Sequence, residues 1–288
     1  MTSPLVLHNG ALRCELRPEL GGCITGLWLG EDAVLRSAPA ASVTSSRVSG
    51  SYALVPFSNR IGHATLQWQG TSHPLVQNNM PEPHAIHGHG WQRPWEVLEA
   101  DGQSALLAFE HQPDASWPFA FDTSQSLRLG ADSLEMTLSA TNQSSIPAPI
   151  GLGWHPFFVK RPGSRISFAA TGRWENGPDM LPVAHSASSG LDVDCASLTV
   201  DNCFDGWSGQ VDLVDPVLHT RITSKLRHLV VFTNTQKDFV AIEPVSHVNN
   251  ALNQAAANGA SPDALGVCVL QPGETLSVHM TIAVQRNT

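Results

Sequence analysis

What most constrains this chain is the recurrence of short β-type segments, about every 8 to 12 residues, with almost no helix between them. ATLQWQG, SALLAFEH, SQSLRLGADSLEMTLSATN and TLSVHMTIAV alternate apolar and polar residues, the period of a half-buried strand. HLVVFTN and FVAIEP are shorter, more continuous apolar runs that suit buried strands. PLVLHNGALRCEL carries Asn9-Gly10 between two β-compatible runs, a hairpin signal. The one helical stretch is NNALNQAAANG, about three turns long and closing at Gly259 as a helix C-terminus would. Pro244 is expected to end the FVAIE strand and so to leave Glu243 at a rim. The pattern predicts an all-β fold, an antiparallel sandwich or barrel, and excludes alternating β-α units. No repeat, low-complexity block or charged linker interrupts the 288 residues, so 1–288 reads as a single domain. The polar stretch 172–194 reads as a long, irregular surface excursion within it.

Charge excludes several partners. The formal net charge is −9, with 16 Lys and Arg against 25 Asp and Glu, and no basic run occurs. Nucleic acid and anionic membranes call for clustered cations, so neither is expected. The five cysteines are odd in number and form no C-x-x-C pair, which fits reduced thiols in a cytoplasm. The first residues lack a charged region followed by an apolar core, so no signal peptide is expected. No apolar run approaches the length of a membrane helix. The expected partner is a small molecule, and the expected state a monomer or homodimer.

Five constellations could carry chemistry. HAIHGHGW places His84, His87 and His89 close together. On a strand His87 and His89 would face one side, as metal ligands do, but Gly88 and Gly90 argue for a loop. In GLGWHPFF, His155 sits among rings, where an imidazole loses its charge readily; it is either a proton-transfer group or an inert core histidine. In FVAIEPVSHVNNALN, Glu243 interrupts an apolar strand. A carboxylate there is either a structural ion-pair partner or a general base tuned by burial. In VPFSNRIGHATLQWQG, the fork of Arg60 could hold two sugar oxygens or satisfy a loop. In TVDNCFDGW, Asp201 or Asp205 could accept hydroxyls and Trp207 could stack on a ring, or all three could belong to an ordinary turn. Eight Trp against one Tyr favour a site with flat aromatic faces, as sugars prefer.

Together the segments SNRIGHATLQWQG, HAIHGHGWQRPW, GWHPFF, DNCF and AIEP with VNNALN resemble, in order, the aldose 1-epimerase (galactose mutarotase) family. The resemblance implies a large antiparallel β-sandwich, the galactose mutarotase-like supersandwich. It implies Glu243 as catalytic base and His155 as catalytic acid. Sugar contacts are implied at Arg60, His87 and Asp201, with Asn59 and Trp154 beside them. The family's L-H-G-G reads IHGHG here, and its His-Thr-Tyr-Phe-Asn segment reads HPFFVK. The acid and base survive these departures; the sugar preference does not follow from them.

The implied reaction opens and recloses a sugar ring. Glu243 removes the anomeric hydroxyl proton while His155 protonates the ring oxygen. His155 must then start protonated and Glu243 ionised, a state their mutual field would support. No metal, nucleotide or other cofactor is required. The expected substrate is a free hexose such as galactose or glucose. The alternatives are a non-catalytic sugar-binding protein on the same fold, a metal-dependent β enzyme using His84, His87 and His89, and a mutarotase for a phosphorylated or otherwise anionic sugar. Arg93, Arg161 and Arg173 could supply the extra cations that last case needs.

Overall fold

The structure is a computed structural model that describes residues 4–258 and 262–287. Among the described residues the strands form two large sheets, nine-stranded and eight-stranded, and a four-stranded sheet at the N-terminal end. All named strand pairs in them are antiparallel, and the expected β-sandwich is what the chain forms. No helix among the described residues is long and apolar enough to cross a membrane.

The nine-stranded sheet shows how alternation becomes packing. Strands Phe121–Leu129, Ser133–Asn142 and Thr275–Arg286 lie side by side, and every second side chain is buried. Leu127, Leu129, Met136, Leu138, Met280 and Ile282 face the core. The opposite face meets water and carries polar cross-strand pairs: Thr137 with His279 at 2.9 Å, Ser139 with Ser277 at 2.7 Å and Thr141 with Thr275 at 2.8 Å. One face buried and one solvated is the usual arrangement of an antiparallel sheet.

The eight-stranded sheet is buried on both faces at its centre. In strand Phe239–Val245 every residue is buried. Val240 and Ile242 join the main core, whereas Phe239, Ala241 and Val245 join a second, smaller cluster on the other side. That is why FVAIEP reads as a continuous apolar run. The two large sheets meet across the main core, where the Trp154 indole N–H donates to Gln125 Oε1 at 3.1 Å.

Several local expectations change. Strand Phe239–Val245 does not end at Pro244. The Ile242 N–H points to Pro156 O and the Ser246 N–H to Leu152 O. The nitrogen of residue 244 shares that side, away from strand His228–Thr233, so proline costs no bond to that neighbour. In the first hairpin Asn9 pairs with Leu12, so the two loop residues are Gly10 and Ala11, with Gly10 at φ 58. Among the described residues the helix spans Ala251–Asn258, so Asn249 and Asn250 precede it and are not part of it; the end expected at Gly259 lies outside the described residues. The stretch 172–194 is not irregular. Gly172–Asn176 and Pro182–Ala187 form a hairpin at the edge of the eight-stranded sheet, and Leu191–Asp194 edges the nine-stranded one. The five cysteines are free thiols.

Candidate active site

The second face of the eight-stranded sheet builds the site. Alternation along Phe239–Val245 puts Glu243 on the side of Ala241 and Val245. In Val200–Asp205 the same rule puts Asp201 beside Cys203 on that face and Phe204 in the main core. Trp154 goes to the main core, so His155, its neighbour, turns the other way. Over this face the connecting segments add Arg36, Arg47, Asn59, Arg60, Asn79, Glu82, His87 and Trp91. The result is one cavity of about 350 Å³, at the small end of ligand pockets, a size that suits a monosaccharide.

At the floor His155 Nε2 stands 3.2 Å from Glu243 Oε1. The imidazole packs between Tyr52, stacked at 5.1 Å, and Phe157, at 4.2 Å between centroids. These rings orient it while excluding water. Glu243 is 2% exposed, and neither its Oε2 nor His155 Nδ1 meets a protein hydrogen-bond partner. Buried polar atoms in that condition are costly unless a ligand satisfies them. Burial pushes His155 down to about 3, with the charges of Arg36 and Arg47 acting in the same direction. Burial pushes Glu243 well above the usual carboxylate range, and Asp201 adds to this while Arg60 opposes it. Burial therefore favours a neutral pair with its one proton on Glu243. The ionised pair expected from mutual attraction is opposed here by desolvation, the larger effect for groups this deep.

One wall is held by a set of mutual hydrogen bonds. The Asn59 backbone N–H donates to His87 Nδ1 at 3.1 Å, and the His87 N–H donates to Asn59 O at 2.8 Å. With Nδ1 accepting, the ring proton is on Nε2, and burial keeps the ring neutral. His87 is thus a fixed neutral donor. Asn59 Oδ1 accepts from the Arg60 backbone and guanidinium at 3.0 and 3.3 Å. Glu82 grips the same guanidinium through two bonds of 3.1 Å, the geometry that fixes an arginine most firmly. Asp201 lies within the fields of Arg60 and Glu82, and its pKa is raised, chiefly by burial.

Glu243, His155, Arg60, Asn59, His87 and Asp201 therefore line one cavity although they span nearly 190 residues of sequence. Trp154 does not. It is fully buried on the opposite face of its strand, because adjacent strand residues cannot both face the site. Trp154→Phe should lower stability by about 2–3 kcal/mol, through lost packing and an unpaired Gln125 oxygen. A shift in the urea midpoint worth less than about 0.5 kcal/mol would contradict that packing.

Of the two aspartates, Asp201 is in the cavity. Asp205 is not; it accepts from the Trp174 indole at 3.0 Å and pairs with His185 at 2.8 Å. The Trp207 indole donates to Leu226 O, outside the site. The three histidines of HAIHGHGW diverge. His84 takes the His63 N–H, and His89 bonds His111 at 3.0 Å. Among the described residues no three His, Cys, Asp or Glu form a metal-holding group. Arg93, Arg161 and Arg173 are ion-paired to Asp114, Asp215 and Glu175, and none lines the cavity. Tyr52, Trp91, Arg36, Arg47, Asn79, Glu82 and Lys237 were not anticipated. Only Tyr52 had a visible signal, as the sole tyrosine beside a strand.

Similarity to known proteins agrees with this geometry. YphB of Escherichia coli K12 is 29% identical over 296 residues, spanning 97% of this chain and 98% of that protein. A solved structure from Escherichia coli K12 superposes with a TM-score of 0.88 at 26% identity, covering 99% of both chains. A galactose mutarotase-like protein from Clostridium acetobutylicum shares the fold, with a TM-score of 0.84 at 20% identity over 98% of this chain and 95% of that one. The sequence profile of aldose 1-epimerases matches residues 5–283. A match across nearly the full length shows the family: this chain belongs to the aldose 1-epimerases.

Proposed function

We propose that the protein is an isomerase that interconverts the α and β anomers of a free aldose of hexose size, such as galactose or glucose. The observation that carries this reading is the contact of His155 Nε2 with Glu243 Oε1 at 3.2 Å in a cavity that Arg60, Asn59, His87 and Asp201 also line. The anomeric oxygen O1 and the ring oxygen O5 share carbon C1, so an acid and a base that serve them must be neighbours.

The sugar's hydroxyls and the Arg60 guanidinium replace the solvation that burial removes, and the shared proton moves from Glu243 to His155. Glu243 then takes the proton of O1. O1 becomes a carbonyl as the C1–O5 bond breaks, and His155 delivers its proton to O5. The open aldehyde turns about C1–C2. On closure O5 attacks the other face of C1, His155 recovers the O5 proton and Glu243 returns one to O1. Arg60, Asn59, His87 and Asp201 hold the remaining hydroxyls throughout.

The test is polarimetry or NMR exchange on freshly dissolved α-anomer. Relaxation should accelerate in proportion to enzyme. Binding of aldoses without any acceleration, across neutral and anionic sugars, would favour the non-catalytic sugar-binding alternative and end this reading.

A further inference from the structure

Among the described residues the cavity contains three cations with no ion pair to a carboxylate, against the habit of this chain. Every arginine except Arg36, Arg47 and Arg128 is ion-paired with an Asp or Glu of the described residues. Two of those three line the cavity, and so does Lys237, which likewise forms no ion pair among the described residues. The cavity's own carboxylates do not balance them. Glu82 is committed to Arg60, Asp201 lies with that pair, and burial holds Glu243 toward its protonated form. In a chain of net charge −9 the general field repels anions. Uncompensated positive charge in the pocket is therefore a local, built exception.

Ring contacts and hydrogen bonds position these cations along the cavity wall. Arg36 lies 3.8 Å from the centroid of Phe157 and 5.1 Å from that of Phe239, and Lys237 lies 5.6 Å from Phe239. Arg36 Nε and Nη2 donate to Ser49 O at 2.9 and 2.6 Å, and Nη2 also donates to Arg47 O at 2.7 Å. Its Nη1 donates to no atom of the described residues. Arg47 is steadied by Asn79 Oδ1 through one of its nitrogens. Asp238 and Tyr52 relieve the burial of Arg36 only in part. Phe157, which bears Arg36, packs against His155. His155 addresses O5, and O5 and the exocyclic arm of the sugar are both bonded to C5. The cations thus stand where the arm at C5 would end.

We propose that the substrate is an aldose whose C5 arm ends in an oxyanion (a carboxylate, a phosphate or a sulfonate) gripped by Arg36, Arg47 and Lys237. The proposal rests on the reading of His155 as the acid at O5. Two fixed guanidinium groups and an ammonium give charge-assisted hydrogen bonds that a neutral hydroxymethyl arm cannot match.

The test compares glucose and galactose with glucuronate, galacturonate, glucose 6-phosphate and a 6-sulfonated glucose. Exchange is read by NMR, and binding by calorimetry on the same wild-type protein. At least one anionic sugar should exceed its neutral parent about 30-fold in kcat/KM and in affinity; which one does so identifies the oxyanion. In Arg47→Gln and Lys237→Gln, taken separately and together, the anionic-to-neutral ratio should fall below about threefold within each variant, and rising salt should lower it in the wild type. Exchange and binding that treat neutral and anionic sugars alike would overturn the subsite while leaving the mutarotase reading intact. So would a preference that survives in the double variant. Preferential binding of an anionic sugar without exchange of any sugar would support the subsite and defeat the mutarotase reading.

Discussion

Glu243→Gln should slow anomer exchange about 10³-fold with the fold unchanged. Glutamine keeps the volume and one acceptor oxygen but cannot take the O1 proton, and a positioned base contributes about 10²–10⁴-fold. His155→Gln should lose a similar factor. In the proposed reaction both groups pass one proton through their 3.2 Å contact, so the double variant should lose little more than either single one. Burial already favours the uncharged form of Glu243, so Glu243→Gln removes no charge that the folded state depends on, and its urea midpoint should match or exceed that of the wild type. Exchange within about tenfold of wild type in Glu243→Gln would remove Glu243 from the reaction. Equal losses accompanied by a collapsed urea midpoint would mark the residue as structural.

Stability should fall steeply between pH 6.5 and 5. Burial holds His89 and His247 down to about 3, and His87 well below its ordinary 6.5. The network depends on neutrality. The His111 Nε2–H donates to Trp117 O, so its Nδ1 accepts from His89 Nε2–H, and a second proton on His111 would remove that acceptor. In this window the unfolded chain binds protons at these three rings that the fold refuses. Unfolding free energy therefore rises with pH, and this contribution is lost as pH drops below about 6.5. The His155–Glu243 pair holds one proton in the folded state and about one in the unfolded chain across the same window, so it cancels. Three rings at about 1.4 kcal/mol per pH unit give about 4 kcal/mol per unit as an upper figure. Urea unfolding at pH 7, 6 and 5 measures the slope. A midpoint that stays level or rises toward pH 5 would show that these rings are protonated in the folded protein.

Much of the fold was legible because it is local. Alternation along Ser133–Asn142 and Thr275–Arg286 names both strand and buried face. The reading of Glu243 and His155 as a pair came from order and resemblance, and folding brings them together from 88 residues apart. The place of Trp154 was legible, because period two alone separates it from His155. Period two does not separate Asp201 from Asp205, which share a face of Val200–Asp205; position along the strand does, with Asp201 lining the cavity and Asp205 bound to Trp174 and His185. The stop expected at Pro244 failed because the cost of proline depends on which side its nitrogen faces, a property of sheet order. The cations of the pocket had no such signature. Arg36 and Arg47 lie in the connection between Asp32–Ala33 and Ala53–Leu54, and Lys237 in the one between His228–Thr233 and Phe239–Val245, so their meeting is purely tertiary.

That origin has a consequence for how such a protein can change. The proposed acid and base, His155 and Glu243, and the proposed hydroxyl-holding Asp201 stand on one face of a sheet whose reverse side is the main core. The groups that would choose among sugars hang on segments outside the large sheets, around 36–47, 78–92 and 234–238. Selection can then retune the diet of the protein without disturbing its engine. An engineer has the same freedom: transplanting those three segments from a relative should redirect the preferred sugar while the rate of ring opening stays within reach of the parent.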